Sequence, residues 1–283
     1  MITTKTKLVA ILGDHVAHSK SPVMMNAAFQ DKGLDYYYIP VDVAADDFGD
    51  VVRGISKMNF AGFTITMPYK LEIMKYLDEI DPVAEVIGAV NTVKITDKYM
   101  KGYNTDGEGF VRGIERDGKV KIQESTFFII GAGGVARAIS AVLASRHPRM
   151  VYIANRTFSK AEELCRKINE KIYDCCVPLP LDQEGQRYIP MVNVVINGSN
   201  IGMKPYEKES PVDVSLIHGN QLVMDVIYQP AKTILLQVAE EKGCQIINGE
   251  NMLVYQGEIA YHHWTGIDPD IAVMKRALEV SRE

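Results

Sequence analysis

Residues 126–145, TFFIIGAGGVARAISAVLAS, constrain the fold more than any other stretch of this chain. TFFIIGAGG (126–134) reads as a buried strand entering a glycine turn. Gly131, Gly133 and Ala136 form a GxGxxA arrangement, and a helical pattern over 135–145 begins at once. In a strand–turn–helix unit, each of these residues has a physical role. Gly131 permits the tight turn, Gly133 lets backbone approach a pyrophosphate, and Ala136 lets the helix sit close to the sheet. The helix N-terminus then offers free N–H groups and the positive end of its dipole to phosphate. The plainer reading is a glycine turn used only for packing. The dinucleotide reading is preferred because the next strand, MVYIANRT (150–157), is also in place.

The tip of that next strand indicates which dinucleotide. An NAD site usually ends this strand with an acid that bonds the ribose 2′-hydroxyl. Here the residues are Asn155, Arg156 and Thr157, with Lys160 one turn on. A guanidinium can pair with a 2′-phosphate and stack beside adenine, and Thr157 can add a hydroxyl. The expected cofactor is therefore NADP, unless Arg156 is a plain surface charge.

Strand-like and helix-like runs alternate through the rest of the chain, which predicts an α/β fold with a largely parallel sheet. Strands are expected at 7–13, 35–43, 60–67, 89–96, 99–105, 191–199, 221–228 and 244–249. Helices are expected at 21–33, 46–58, from about 106 to 117, 159–169, 232–243, about 250–263 and 269–282. A passage between two blocks falls near 104–125, through a helix rather than a flexible tether. The cleft between two such blocks is a common place for a ligand.

The first block gathers polar residues where apolar runs end. HSKSP (18–22) places Ser19 and Ser21 before a helix, where two hydroxyls could take a carboxylate or where Ser21 could simply cap the helix. GFTITMPYK (62–70) ends in Thr66 and Lys70, GAVNT (88–92) offers Asn91 and Thr92, and GYNTDGEGF (102–110) offers Asn104, Thr105 and Asp106. In α/β folds, strand ends collect ligand contacts. The plain alternatives are a solvated Lys70, an Asn91 that satisfies a turn and an Asp106 that caps a helix.

The totals exclude some classes. The chain has 283 residues, 47% apolar and 24% charged, with a net charge of −5. That charge argues against a general nucleic-acid binder, and no apolar run is long enough for a bilayer-spanning helix. The N-terminus does not read as a signal peptide. Cys165, Cys175, Cys176 and Cys244 lack disulfide or CxxC spacing, so they read as reduced thiols of a cytoplasmic protein, and no histidine spacing calls for a metal. No feature demands an oligomer, which leaves monomer and homodimer both open.

Several separated motifs, HSKSP, GFTITMPYK, GAVNT, GYNTDGEGF, GAGGVARA, ANRT, NGSNIGM (197–203), DVIYQP (225–230) and NGENMLVYQG (248–257), occur in the order found in the shikimate dehydrogenase family, which the chain resembles through almost its whole length. The resemblance implies NADP-dependent reduction of 3-dehydroshikimate to shikimate. It also implies a substrate-binding α/β domain over 1–104, completed by C-terminal helices over about 244–283, and a Rossmann-type NADP domain over 105–243. By motif position, Lys70 and Asp106 would be the catalytic pair. Ser19 and Ser21 would bind the substrate carboxylate, Thr66, Asn91 and Gln256 the ring hydroxyls, and Tyr228 would line the pocket. Gly131, Ala132, Gly133, Gly134, Val135, Asn155, Arg156, Thr157 and Lys160 would hold NADP. Asn197, Ser199, Met203, Val226, Gly249 and Met252 would lie near it.

Four positions depart from the usual pattern. Thr64 stands where Asn is common, Met25 where His is, and His15 and Ile234 where Pro is. Relatives act on quinate, so a quinate or quinate/shikimate dehydrogenase using NAD(P) is the nearest alternative, although retention of both Ser19 and Ser21 leans toward shikimate. A non-catalytic NADP-binding regulatory protein is a further alternative. The intact Lys70 and Asp106 argue against it.

Overall fold

A computed structural model describes residues 2–66 and 68–280, without the side chain of His18. It divides into two compact units, residues 1–105 with 253–283 and residues 106–252.

The first unit begins with β1 (Lys7–Gly13), α1 (Ser21–Asp31), β2 (Tyr36–Asp42), α2 (Phe48–Ile55) and β3 (Phe60–Ile65). Met67, expected at the end of the third strand, lies outside the described residues. Then come β4 (Glu79–Ile80), α3 (Pro82–Ile87), β5 (Thr92–Thr96) and β6 (Tyr99–Tyr103). The sheet order is β2-β1-β3-β5-β6-β4. β1 pairs parallel with β2 and β3, whereas β5 pairs antiparallel with β3 and β6. This sheet is therefore mixed rather than largely parallel. The cause is the β5–β6 hairpin, whose turn residues Asp97 and Lys98 have φ of 50° and 70°, the left-handed geometry a tight hairpin needs.

Side-chain alternation sorts the core into two layers. Val9 and Ile11 of β1 join one cluster with Met24, Met25, Phe29, Tyr38, Tyr261 and Trp264. Ala10 and Leu12 join the other, with Phe48, Val52, Phe63, Ile65, Tyr69 and Ile73.

The second unit comprises α4 (Thr105–Arg116, entered from the first unit), β7 (Thr126–Ile130), α5 (Gly134–Ser145), β8 (Met150–Asn155), α6 (Phe158–Lys171), β9 (Cys176–Pro180), α7 (Gln183–Gln186), β10 (Val194–Asn197), β11 (Leu222–Asp225), α8 (Ile234–Glu241) and β12 (Gln245–Ile247). Every pairing is parallel, in the order β12-β11-β10-β7-β8-β9. The order reverses between β7 and β10, which makes a doubly wound sheet with its switch point there.

Residues 244–252 were expected with the first domain, and the structure places them in the second unit. β12 pairs with β11, the Gln245 amide donates to the Asp117 carbonyl at 2.8 Å, and Asn251 donates to the Asp117 carboxylate at 2.8 Å. The chain returns to the first unit within α9 (Glu250–Thr265), and α10 (Ile271–Val280) follows.

Trp264 of α9 fastens this return. Its indole N–H donates to the Val93 carbonyl at 2.9 Å. The ring lies against Gly62 of β3, where a Cβ would stand 2.2 Å from the Val93 oxygen and 2.3 Å from the Trp264 nitrogen. Gly62→Ala should therefore destabilise the first unit by about 2–3 kcal/mol, the scale of forced overpacking. Denaturant unfolding followed by the fluorescence of Trp264, the chain's one tryptophan, checks this. An unshifted midpoint would show that α9 does not lock there.

Candidate functional site

In the first unit, β1 delivers Ser19 and Ser21 to the start of α1. The Ser19 hydroxyl accepts the Ser21 N–H at 3.3 Å. Ser21 is the first residue of α1 and makes no capping bond, because the cap position is Lys20. The helix-cap explanation for the buried Ser21 hydroxyl therefore fails.

β3 delivers Thr66 and Lys70. The turn between them is anchored by Tyr69, which is buried, stacks on Phe48 at 4.2 Å and donates its hydroxyl to the Val43 carbonyl at 2.6 Å. The Tyr69 N–H donates to the Thr66 carbonyl, and the Val90 N–H donates to the Lys70 carbonyl at 2.9 Å. The Ile65 N–H donates to the Asn91 carbonyl at 2.8 Å. Thr66, Lys70 and Asn91 are thus brought together across β3 and the entry to β5. The Lys70 side chain is half-buried and engaged.

Asn91 is 3% exposed, and its side chain is occupied by Thr105. Its oxygen accepts the Thr105 N–H at 2.7 Å, and its Nδ2 donates to the Thr105 hydroxyl at 3.1 Å. Thr92 lies 3.0 Å from the same hydroxyl, which also donates to Gln256 at 3.4 Å. Sequence reasoning did not single out Thr105 as the hub of this cluster. An amide nitrogen carries two protons, so Asn91 keeps one for another acceptor.

Asp106 reads in the sequence as a possible helix cap. α4 starts at Thr105, so Asp106 sits inside the first turn instead, where a carboxylate is favoured by the helix dipole. Tyr228 is 62% exposed on the second unit.

The second unit holds a cavity of about 480 Å³ at the switch point of its sheet. It is lined after β7 by Gly131, Ala132 and Gly133, after β8 by Asn155, Arg156, Thr157 and Lys160, and after β10 by Gly198, Ser199, Asn200 and Ile201. Glu209, Ser210 and Pro211 complete one wall. Gly131 has φ of 108°, which only glycine adopts readily. A side chain at Gly133 or Gly134 would meet no protein atom within 4 Å, so packing within the chain does not demand glycine there and the space before α5 is open. The start of α5 has no side-chain cap. Arg156, Thr157 and Lys160 are exposed, and neither cation is ion-paired among the described residues. These residues fit a dinucleotide that carries a 2′-phosphate.

The remaining expected cofactor residues are not among those lining this cavity. Gly134 and Val135 form the first turn of α5, and Met203 is 42% exposed beyond the lining residues. Met252 is half-buried in the first turn of α9. Gly249 packs on Val226, where a Cβ would stand 2.1 Å from the Val226 oxygen. Asn197 is fully buried. Its oxygen accepts from the Ser199 N–H and hydroxyl, and its Nδ2 donates to the Ile201 carbonyl and the Asp225 carboxylate. Asn197 therefore shapes the cavity loop from behind. Asp225, missed in the sequence, organises that network. It accepts from Asn197, from the Ile227 N–H at 3.0 Å and from the Thr233 hydroxyl at 2.8 Å. An acid closing an apolar strand was the available signal.

The sequence matches "Shikimate dehydrogenase substrate binding domain" over residues 11–93, "Shikimate / quinate 5-dehydrogenase" over 115–206 and "Shikimate 5'-dehydrogenase C-terminal domain" over 249–279. A "Shikimate dehydrogenase (NADP(+))" of Methanocaldococcus jannaschii is 43% identical over 286 residues, covering 98% of each chain. The chain belongs to the shikimate dehydrogenase family. The solved shikimate 5-dehydrogenase of Listeria monocytogenes, in complex with shikimate and NAD, is 37% identical with a TM-score of 0.93 over 98% of each chain. The quinate dehydrogenase of Corynebacterium glutamicum, in complex with NAD, is 28% identical with a TM-score of 0.88, covering 97% of this chain and 99% of that one.

As a shikimate dehydrogenase family member, the chain accommodates its departures locally. Met25 is core, packed where α1 meets Gly257 of α9. His15 has φ of 62°, which proline cannot adopt, so the loop after β1 takes a different path from one built on Pro. Ile234 opens α8 after Thr233, which caps the helix by accepting the Leu236 N–H; this first position tolerates either residue. Thr64 is buried, with its hydroxyl bonded to Tyr38.

Burial pushes Asp225 from its ordinary value of 3.8 up to about 6, against the pull of the Ile227, Thr233 and Asn197 donors. A raised acid favours the folded state fully below its unfolded pKa and loses that contribution as pH rises through the folded one. Wild-type stability should therefore fall, relative to Asp225→Asn, between about pH 4 and 6.5. The deficit of the variant should be larger at pH 5 than at pH 7.5. Thermal unfolding of both proteins across this range checks the sign, and parallel curves would contradict it.

Proposed function

We propose that this chain is an NADP-dependent shikimate dehydrogenase that reversibly reduces 3-dehydroshikimate to shikimate in aromatic amino-acid biosynthesis. The observation that carries the cofactor choice is the pair of exposed cations, Arg156 just after β8, where an NAD-reading acid would otherwise stand, and Lys160 in the first turn of α6. The hydroxyl-rich strand ends of the first unit support a polyhydroxylated acid as substrate.

In this reading, NADPH supplies hydride to the ketone carbon. Gly131, Gly133 and the uncapped start of α5 bind the pyrophosphate, while Arg156, Thr157 and Lys160 take the 2′-phosphate. Ser19 and Ser21 hold the ring carboxylate, and Thr66, Asn91 and Gln256 hold ring hydroxyls. The role of Tyr228 as a pocket residue rests on the family pattern. Lys70 stabilises negative charge as it develops on the ketone oxygen and gives that oxygen a proton, with Asp106 as its catalytic partner. The anchored Tyr69 turn keeps the Lys70 backbone fixed, so little reorganisation is needed. The free, buried cysteines accord with a cytoplasmic enzyme.

Quinate is the second reading. It is supported only by the likeness to a quinate dehydrogenase.

Lys70→Ala should lower kcat for 3-dehydroshikimate reduction by about a hundredfold or more, the scale of a lost general acid. NADP affinity should stay within about twofold, since Lys70 lies outside the unit that holds the cavity. Near-wild-type turnover would remove Lys70 from the chemistry. Arg156→Ala should weaken NADP by about ten- to a hundredfold more than NAD, as expected for lost charge-assisted bonds. Equal losses would show that Arg156 does not read the phosphate. Steady-state kinetics with both cofactors checks both variants.

A further inference from the structure

Behind the glycine turn of the second unit stands a cation that no role so far uses. Arg137 is the fourth residue of α5, and its N–H donates to the Gly133 carbonyl at 2.9 Å. Its side chain folds back on the turn, where Nε donates to the Ala132 carbonyl at 3.2 Å. Among the described residues this is the one hydrogen bond that the guanidinium makes. Arg137 is half-buried and is not among the residues that line the cavity. Ala132 is 4% exposed, so its carbonyl needs a partner within the chain, and Arg137 is that partner.

The bond also sets a direction. A trans peptide is planar, and its N–H points opposite to its C=O. With the Ala132 oxygen held toward Arg137, the N–H of the same peptide, that of Gly133, is directed away from Arg137. Gly133 lines the cavity, and its N–H has no acceptor among the described residues.

This peptide needs a lock because a glycine follows it. Turning the Ala132–Gly133 peptide over changes chiefly ψ of Ala132 and φ of Gly133. Gly133 has φ of −78°, and glycine adopts positive φ about as readily as negative. The residue that leaves the space before α5 open therefore also leaves the peptide free to turn. Turned over, it would aim the Ala132 oxygen, instead of the Gly133 N–H, at an anion in the cavity. It would also strip a nearly buried carbonyl of its donor, which opposes the turn. An N–H held in place before the anion arrives needs no reorganisation to receive it.

We infer that Arg137 is a positioning residue for the cofactor: by holding the Ala132 carbonyl from behind, it keeps the Gly133 N–H aimed at the pyrophosphate of NADP. This rests on the proposed binding of the pyrophosphate at the glycine turn.

Two substitutions separate the hydrogen bond from the charge. Arg137→Gln puts an amide nitrogen as many bonds from the backbone as Nε, so it keeps the donor and drops the charge. Arg137→Met keeps the length and loses both. The full-length enzyme is assayed for kcat, KM for shikimate and KM for NADP, with 2′-phospho-ADP-ribose and adenosine 2′-monophosphate as inhibitors competing with NADP. Both inhibitors carry the 2′-phosphate, and only the first carries a pyrophosphate. In Arg137→Met, KM for NADP and Ki of 2′-phospho-ADP-ribose should rise about five- to tenfold, the scale of one hydrogen bond. Ki of adenosine 2′-monophosphate, kcat and KM for shikimate should stay within about twofold, since none of them involves the pyrophosphate contact. Arg137→Gln should recover most of the loss, to within about threefold of wild type. Arg137→Ala also lacks the donor; it should follow Arg137→Met and serves if that variant folds poorly. Unchanged NADP binding in Arg137→Met, an equal loss in Arg137→Gln, or an equal rise for both inhibitors overturns the positioning role and leaves the pyrophosphate reading standing. If the wild-type enzyme binds 2′-phospho-ADP-ribose no more tightly than adenosine 2′-monophosphate, the pyrophosphate reading itself fails, and the role of Arg137 with it.

Discussion

The Thr105 hydroxyl and N–H hold the first unit together at the point where the chain leaves it. Asn91 at the entry to β5, Thr92 in that strand and Gln256 in the returning α9 all bond to this one residue, which is 1% exposed. Buried polar groups are tolerated only when their bonds are complete, so this cluster fixes the relative placement of four side chains at once. Two of them, Asn91 and Gln256, are proposed substrate ligands. The next residue in the chain is Asp106. The position of the chemistry therefore depends on a network whose central member contacts no substrate in the proposed scheme.

The second unit repeats the device with a charge. Asp225 closes β11 in full burial and gathers Asn197, Ile227 and Thr233. Asn197 in turn shapes the Ser199–Ile201 loop that walls the cavity. In both units the groups proposed to meet ligand stand on an inner layer of buried polar residues, and a static inner layer keeps the outer one ordered before a ligand arrives.

Much of this is legible in the sequence, for identifiable reasons. The strand–glycine–helix unit at 126–145 is plain because its apolar run, turn glycine and small helix residue lie within a few positions of one another. Arg156 is plain because a single position after one strand separates NAD from NADP chemistry. β9 escapes a reading by pattern because CVPLP carries two prolines, which a central strand would refuse; it is an edge strand, where proline is tolerated. The sequence places β12 in the wrong unit because a three-residue strand does not name its partner. The inner layers are the least legible. Tyr38 and Thr64 are 26 residues apart, and nothing local in either segment announces that their hydroxyls meet. Thr105 is visible within its motif, but its importance comes from the partners that folding brings to it.

The central claim is that this chain interconverts 3-dehydroshikimate and shikimate with NADP. It is tested most directly by kcat/KM of the wild-type protein for shikimate and for quinate, each with NADP and with NAD. The account predicts that shikimate with NADP exceeds every other combination by at least about tenfold, as the roles proposed for Ser19, Ser21 and Arg156 require. A preference for quinate with NAD, or no turnover with any ring acid, would contradict it.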